Sequence, residues 1–411
     1  MGEWKDCLLS DLGTIVGGAT PSTKDPENYD QGTIVWITPK DLSDFHGRYI
    51  SRGERLITKT GLDSCSTQIM PKHSVLFSSR APIGYVAIAN NELCTNQGFK
   101  SVVPNDDTDY LFLYYLLKYN KDTIENLGSG TTFKEVSGAT MRNIKVRVPG
   151  TKRAQERIAS VLGTIDDRIE ANDQINDNLE QQAQALFKQT FIDNPESSSW
   201  EVGTFNDIIE TMIAGDWGKD TPSGSNTEMV YCIRGADIPE VKAGNKGKMP
   251  TRYILPKNYA AKRLLPGDVV VEISGGSPTQ STGRIAAISQ SLLDRYDKGM
   301  VCTNFCKALK PKEGYSMFVY YYWQYLYSKN VFFSYENGTT GIKNLDITGF
   351  LEAESIVLPP KEIIQGFETV CKSIFDTIFA NGLVNERLSN IRDALLPRLM
   401  SGELDVSDVE L

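Results

Sequence analysis

Residues 155–191 read QERIASVLGTIDDRIEANDQINDNLEQQAQALFKQTF. Ile158, Leu162, Ile165, Ile169, Asn172, Asn176, Leu179, Ala183, Leu186 and Thr190 alternate in steps of four and three without a break. That is a heptad seam, the pattern of a helix packed along its length against another helix. Two of its central layers, Asn172 and Asn176, are polar. The seam occurs again, 209 residues on, at Phe367, Cys371, Ile374, Ile378, Asn381, Asn385, Leu388, Arg392, Leu395 and Leu399. The asparagine pair falls in the same two layers of both runs, so the two helices are expected to be partners.

Outward from the seam, the chain repeats itself in order. VWITPKD ends at Asp41 and YCIRGAD at Asp237, and Trp4 and Trp200 open the two segments. Thr20-Pro21-Ser22 recurs as Thr221-Pro222-Ser223, and Cys94-Thr95-Asn96 as Cys302-Thr303-Asn304. Aromatic stretches follow, YLFLYYLLKY and MFVYYYWQYLY, then Gly130-Thr131-Thr132 and Gly338-Thr339-Thr340, then Val148-Pro149 and Leu358-Pro359. SVLFSS and DVVVEIS read as buried strands. The aromatic stretches are apolar nearly all round, so they predict helices inside each domain. NPESSSW (194–200) has linker composition, and Pro397 predicts the end of regular helix near it. The predicted fold is α+β, a tandem pseudo-twofold repeat of a mixed globular domain followed by a long helix. Such a repeat lays its two helices antiparallel, with Asn172 facing Asn385 and Asn176 facing Asn381. Polar layers lower stability but specify register. A 37-residue seam is about 55 Å long at the α-helical rise, the length of roughly 16 base pairs of B-DNA.

The 411 residues are 40% hydrophobic and 23% charged, an ordinary globular composition. No apolar run is long enough to span a membrane. The seven Cys show no CxxC spacing and the two His stand far from Cys302 and Cys306. Free thiols in a reduced cytoplasm are therefore expected, and no metal site. The net charge of −9 is unevenly spread: residues 151–199 and 361–411 carry −4 each. The two globular segments are close to neutral, which allows basic faces on them.

At this point the chain resembles the specificity (S) subunit of type I restriction–modification enzymes. The resemblance rests on the two-unit layout and on GGATPSTKDPENYDQGTIVWITPKDL, SSRAPIG, CTNQGFKS, GTTFKEVS, IKVRVPGTKRAQERIASVLGTIDDRI and LLPRLMSGELDV. It is weakest through residues 212–295. It implies two target recognition domains, 1–154 and 197–361, each reading one half of a bipartite DNA site. The helices, 155–193 and 362–402, would set the unread spacer and dock two methyltransferase (modification) subunits. Those partners would bind S-adenosylmethionine, with no cofactor in this chain. A separate restriction/translocase subunit would cut DNA, and no membrane would be involved.

Individual residues point the same way, each beside a plainer reading. The Gly-Thr-Thr loops, with Thr131, Thr132 and Lys134 in one unit and Thr339, Thr340 and Lys343 in the other, have the donors and charge to grip phosphate; alone, each is equally an ordinary turn. Arg80 heads a polar tip after a buried strand, suited to guanine or phosphate or to a surface ion pair. Gln97, and Asn96 with its counterpart Asn304, carry amides that can read adenine or cap strands. Arg234 and Arg284 are the second unit's basic candidates, and Lys40 and Lys59 are weaker ones. Asn172, Asn176, Asn381 and Asn385 are the expected register set.

Enzyme signatures are missing. Pro359-Pro360 lacks the flanks of a methyltransferase Asn/Asp-Pro-Pro-aromatic turn, and no GxxxxGK[ST] loop is present. Asp268 and Glu272 come nearest to a nuclease acid pair, but no Lys completes it. Two other classes stay open: a standalone DNA nuclease built on those acids, and a coiled-coil adaptor binding protein or glycan. Salt would weaken DNA binding steeply and leave the adaptor's contacts unmoved.

Overall fold

The computed structural model describes residues 3–43, 45–130, 134–277, 279–338 and 342–406. The chain forms two compact units, one of residues 1–170 with 388–411 and the other of Ala171–Arg387. Each unit therefore takes a stretch of both long helices.

In the first unit a strand at Trp4–Leu8 pairs antiparallel with Lys145–Pro149, tying the start of the domain to its end. A five-stranded sheet has the order Gly13–Gly17, Lys100–Pro104, Val75–Ser79, Ile83–Ala89, Tyr49–Ile50. Every residue of Val75–Ser79 is buried, as its β-branched and aromatic run predicts. A smaller sheet sets Ile34–Ile37 between Arg55–Ile57 and Cys94–Thr95. The helix Tyr110–Tyr119 is capped by the Asp109 carboxylate, which accepts from the Phe112 N–H, and buries six consecutive residues from Phe112 to Leu117. At about 1.5–3 kcal/mol for each large apolar side chain, this helix contributes substantially to the unit's core.

The second unit repeats the plan. Glu201–Thr204 pairs with Ser355–Leu358. A four-stranded sheet runs Ile209–Ala214, Cys306–Pro311, Val269–Glu272, Ile285–Ala287, and a smaller one sets Glu228–Ile233 between Thr251–Ile254 and Met300–Cys302. The aromatic helix Ser316–Ser328 is buried on nearly every face, and Trp323 packs between Phe205, Phe332 and Phe350. A third sheet, Ser274–Gly275, Lys343–Leu345 and Glu336–Asn337, is represented among the described residues of the first unit by the antiparallel bridge Ser129–Glu135 and the bond from Val136 N to Ser79 O.

The long helices run Lys152–Phe187, continued by a π turn at Lys188–Ile192, and Lys361–Met400. Pro397 sits inside the last turn, and Gly402, with φ +77°, closes the helix in the left-handed conformation that glycine adopts without strain. The segment 194–200 is ordered as a 3-10 helix, Pro195–Ser199, because the Asn194 side chain accepts from the Glu196 N–H.

Within the second unit the Asn172 amide donates to Asn385 Oδ1 at 2.7 Å, and Asn381 donates to Asn176 Oδ1 at 2.9 Å. Four residues forward on one helix is four back on the other, so the helices are antiparallel. Asn176 also donates to the Ile378 and Ala243 carbonyls, each at 3.2 Å. A Cβ on Gly382 would strike the Gly244 carbonyl, so a glycine is what allows the 243–245 loop onto this layer. In the first unit the same antiparallel relation brings Arg392, a charged residue in the seam, to Asp166 at 2.7 Å. Asp166 also accepts from the Tyr115 hydroxyl at 2.5 Å. The seam is thus less apolar than its spacing predicts.

Each globular domain is also fastened to a long helix by one buried arginine. Arg48 donates from Nε to Glu170 at 2.9 Å, from Nη2 to Asp167, and to the Gly163 carbonyl at 3.3 Å. Arg295 donates to Glu386 at 2.8 Å and to the Gly244 carbonyl at 2.7 Å.

Candidate nucleic-acid interface

The loops after Thr95 and Cys302 are held by the same backbone bonds. Asn96 N donates to the Ile37 carbonyl and Thr303 N to the Ile233 carbonyl; Ala19 N donates to Thr95 O and Asp216 N to Cys302 O. Ser79 N donates to Gly98 O, and Ile273 N to Phe305 O. The strand registers agree, with Ile37 opposite Thr95 and Ile233 opposite Cys302. These bonds correct the letter-by-letter match. Asn304 stands at the position of Gln97, not of Asn96, and Thr303 stands at that of Asn96. The shared Cys-Thr-Asn string misled because the second loop is displaced by one residue.

Gln97 and Asn304 are exposed, and each amide oxygen accepts one hydrogen bond. The Thr20 hydroxyl donates to Gln97 Oε1, and the Trp217 N–H donates to Asn304 Oδ1 at 3.2 Å. Because a backbone N–H can only donate, the accepting atom of Asn304 is its oxygen. The NH2 groups have no partner among the described residues and remain as donors. Asn96 is turned inward, its Oδ1 accepting from Gly98 N at 2.8 Å. Beside Asn304, Arg252 lies 4.0 Å over the Trp217 ring and pairs with Asp220.

The basic candidates divide. Arg80 is about a third exposed and its Nη1 is 3.3 Å from Glu135, which also meets Lys100 at 3.4 Å. These are long, single-donor pairs that leave most of the guanidinium available. Lys134 is exposed. Lys40 pairs with Glu54 and Lys59 with Asp63 at the surface, each at 2.7 Å. Arg234 is spent on local structure: its backbone and guanidinium clamp Asp237, and it donates to the Lys248 carbonyl at 2.8 Å. Arg284 forks onto the buried Glu272 at 2.7 and 2.6 Å. Lys343 donates to Glu336 at 2.7 Å, and Glu336 also accepts from Thr282 N at 2.6 Å. Burial works against ionising Glu336, but these hydrogen bonds outweigh it and hold its carboxyl below the ordinary value. Thr131, Thr132, Thr339 and Thr340 lie outside the described residues.

The two acids nearest to a nuclease pair are engaged. Asp268 accepts from Lys310 at 2.7 Å and from Leu265 N at 2.8 Å, while Glu272 holds Arg284. Burial raises the Asp268 carboxyl above its usual range. Sequence reasoning missed Trp217, Thr20 and Phe305 as neighbours of the amides; their signal lies in hydrogen-bond register, which letters do not carry.

Residues 1–181 match the family of type I restriction modification DNA specificity domains. Over 428 aligned residues the chain is 34% identical to the type I restriction enzyme MjaIX specificity subunit of Methanocaldococcus jannaschii, covering 99% of this chain and 95% of that one. It is 25% identical to the HindI specificity subunit of Haemophilus influenzae, over 98% of this chain and 100% of the relative. The crystal structure of a type I restriction–modification S subunit from M. genitalium superposes with a TM-score of 0.56 at 16% identity, over 97% and 96% of the two chains.

Proposed function

Because this chain belongs to the type I restriction enzyme specificity subunits, we propose that its two globular domains, 1–154 and 197–361, each read one half of a bipartite duplex DNA site. The observation that carries this reading is the pair of equivalent exposed amides, Gln97 and Asn304, each fixed by its oxygen and left with a donor face. The same loop serves twice, with different surroundings, which is what two half-sites of different sequence require.

The first unit joins Gln97 to Arg80 and Lys134, with Thr131 and Thr132 as phosphate grips. The second joins Asn304 to Thr339 and Thr340. Arg234, Arg284 and Lys343 act as supports, since each guanidinium or ammonium is spent on a carboxylate. Lys40 contributes a phosphate contact at most. The helices, 155–193 and 362–402, fix the unread spacer, with Asn172, Asn176, Asn381 and Asn385 setting register. Exposed apolar residues on those helices, among them Ile175, Val370, Val384 and Ile391, fit a surface that two methyltransferase subunits cover. Those subunits supply S-adenosylmethionine and the methyl transfer, a restriction/translocase subunit supplies cleavage, and this chain supplies no chemistry of its own. Among the described residues no helix is long and apolar enough to cross a membrane, and action on DNA in the cytoplasm is part of the proposal.

The test is binding of the chain with its methyltransferase to duplexes carrying the methylated motif, measured across a salt series. The expected result is a linear fall of log affinity with log salt on top of a sequence preference. Salt-insensitive binding with no sequence preference would support an adaptor instead.

A further inference from the structure

Aligned by their hydrogen bonds, the two loops differ at the residue after the amide. The first unit has Gly98 and the second has Phe305. Gly98 is buried, and a Cβ on it would come within 2.7 Å of Pro39 Cγ. In the second unit the position of Pro39 is taken by Gly235: Thr38-Pro39 and Arg234-Gly235 each open a 3-10 turn closed by an Asp three residues after the cap. At Gly235 a Cβ would strike Glu272 Oε1, so the Glu272 carboxylate keeps that position free of a side chain and no proline ring stands in the second unit where Pro39 stands against Gly98. The phenyl ends 59% exposed. A single exposed aromatic is common; one that replaces a buried glycine beside an oriented amide is a built feature.

Resting on the reading of this unit as a DNA-recognition domain, we infer that Asn304 and Phe305 together read a thymine in the second half-site. In the major groove thymine sets an acceptor, O4, beside a C5-methyl group. Asn304 brings a donor, since its oxygen is held by Trp217 and its Nδ2 is unpartnered among the described residues. Phe305 brings the apolar surface that the methyl group requires. Gln97 and Gly98 bring a donor without apolar surface, so the first unit reads an acceptor and is indifferent to a methyl group.

The experiment uses this chain in complex with its methyltransferase and duplexes carrying its motif. Each thymine of either half-site is replaced singly by deoxyuridine. One replacement in the second half-site is expected to lower affinity about fourfold, the equivalent of about 0.8 kcal/mol for one buried methyl. Phe305→Gly should abolish that penalty at that position alone, and Phe305→Leu should retain most of it. Equal thermal midpoints of the three proteins would exclude misfolding as the cause. The inference is overturned if wild type and Phe305→Gly respond alike at every thymine, or if the second half-site holds no thymine. It is also overturned if 2-aminopurine beside the position brightens on binding, the mark of a phenyl wedged between bases. Absence of any sequence preference would overturn the recognition reading itself, and is distinct from these results.

Discussion

Replacing Asn172 and Asn385 by leucine, singly and together, separates a register device from a merely tolerated polar layer. Asn172 is 2% and Asn385 6% exposed, and the first donates to the second at 2.7 Å. Asn172→Leu leaves Asn385 Oδ1 without its donor in a site closed to water, at a cost of about 1–3 kcal/mol. Asn385→Leu strands the Asn172 NH2 and also removes the 2.7 Å bond to Asp173, for a similar cost. The double variant removes donor and acceptor together and adds two apolar side chains to the seam. Its stability should return to within about 1 kcal/mol of wild type. The cycle therefore predicts a coupling energy of about 2 kcal/mol between the two sites. Urea unfolding followed by far-ultraviolet circular dichroism measures it, with the slope m checked for constancy across the four proteins. Additive single effects, or singles costing under about 0.3 kcal/mol, would refute the argument that the layer is a closed hydrogen-bonded pair. The double variant, stable but without its polar key, should also methylate sites of more than one spacer length.

Gly382→Ala should destabilise the second unit by at least about 1–3 kcal/mol, because the added Cβ meets the Gly244 carbonyl; an unchanged melting temperature would contradict the close approach. Arg48→Ala should cost about 1–3 kcal/mol, less than a fully enclosed pair would, since Asp167 is 69% exposed and reaches water on its own; its effect on methylation should fall on the first half-site, and equal loss at both halves would refute a local fastening role. Arg80→Ala should likewise weaken selection at the first half-site only. Glu336 is a carboxyl held below its ordinary 4.5 despite its burial. A carboxyl depressed on folding stabilises above its unfolded pKa and loses that stabilisation as pH falls through its folded value. The paired strands Glu336–Asn337 and Lys343–Leu345 should therefore exchange their amide hydrogens faster, relative to the rest of the unit, below about pH 4.5, and Glu336→Gln should flatten that pH dependence.

The long helices and their antiparallel pairing were legible because a heptad seam is a one-dimensional signal, and two asparagine layers at a constant offset name their partners. The buried strands and the aromatic helices were legible for the same reason: composition alone places an all-apolar run inside. The site was legible only in part. Gln97 and Asn304 were found as amides, but their equivalence was hidden by a Cys-Thr-Asn string that recurs one residue out of structural register. Arg234 and Arg284 looked available because sequence shows a guanidinium and not the carboxylate folded against it, Asp237 three residues on and Glu272 twelve residues back. Phe305 gave no signal at all, since its significance depends on Pro39 and Gly235, in 3-10 turns far away along the chain.

The most direct test of the account is a base-modification map of DNA from cells expressing this chain with its methyltransferase, beside cells lacking it and cells in which residues 1–154 are exchanged for those of a relative. The account predicts a two-part motif with a fixed unread gap, methylated only when the chain is present, and an exchange that alters one half and leaves the other half and the gap unchanged. Methylation that is the same with and without the chain, or an exchange that alters both halves, would contradict it.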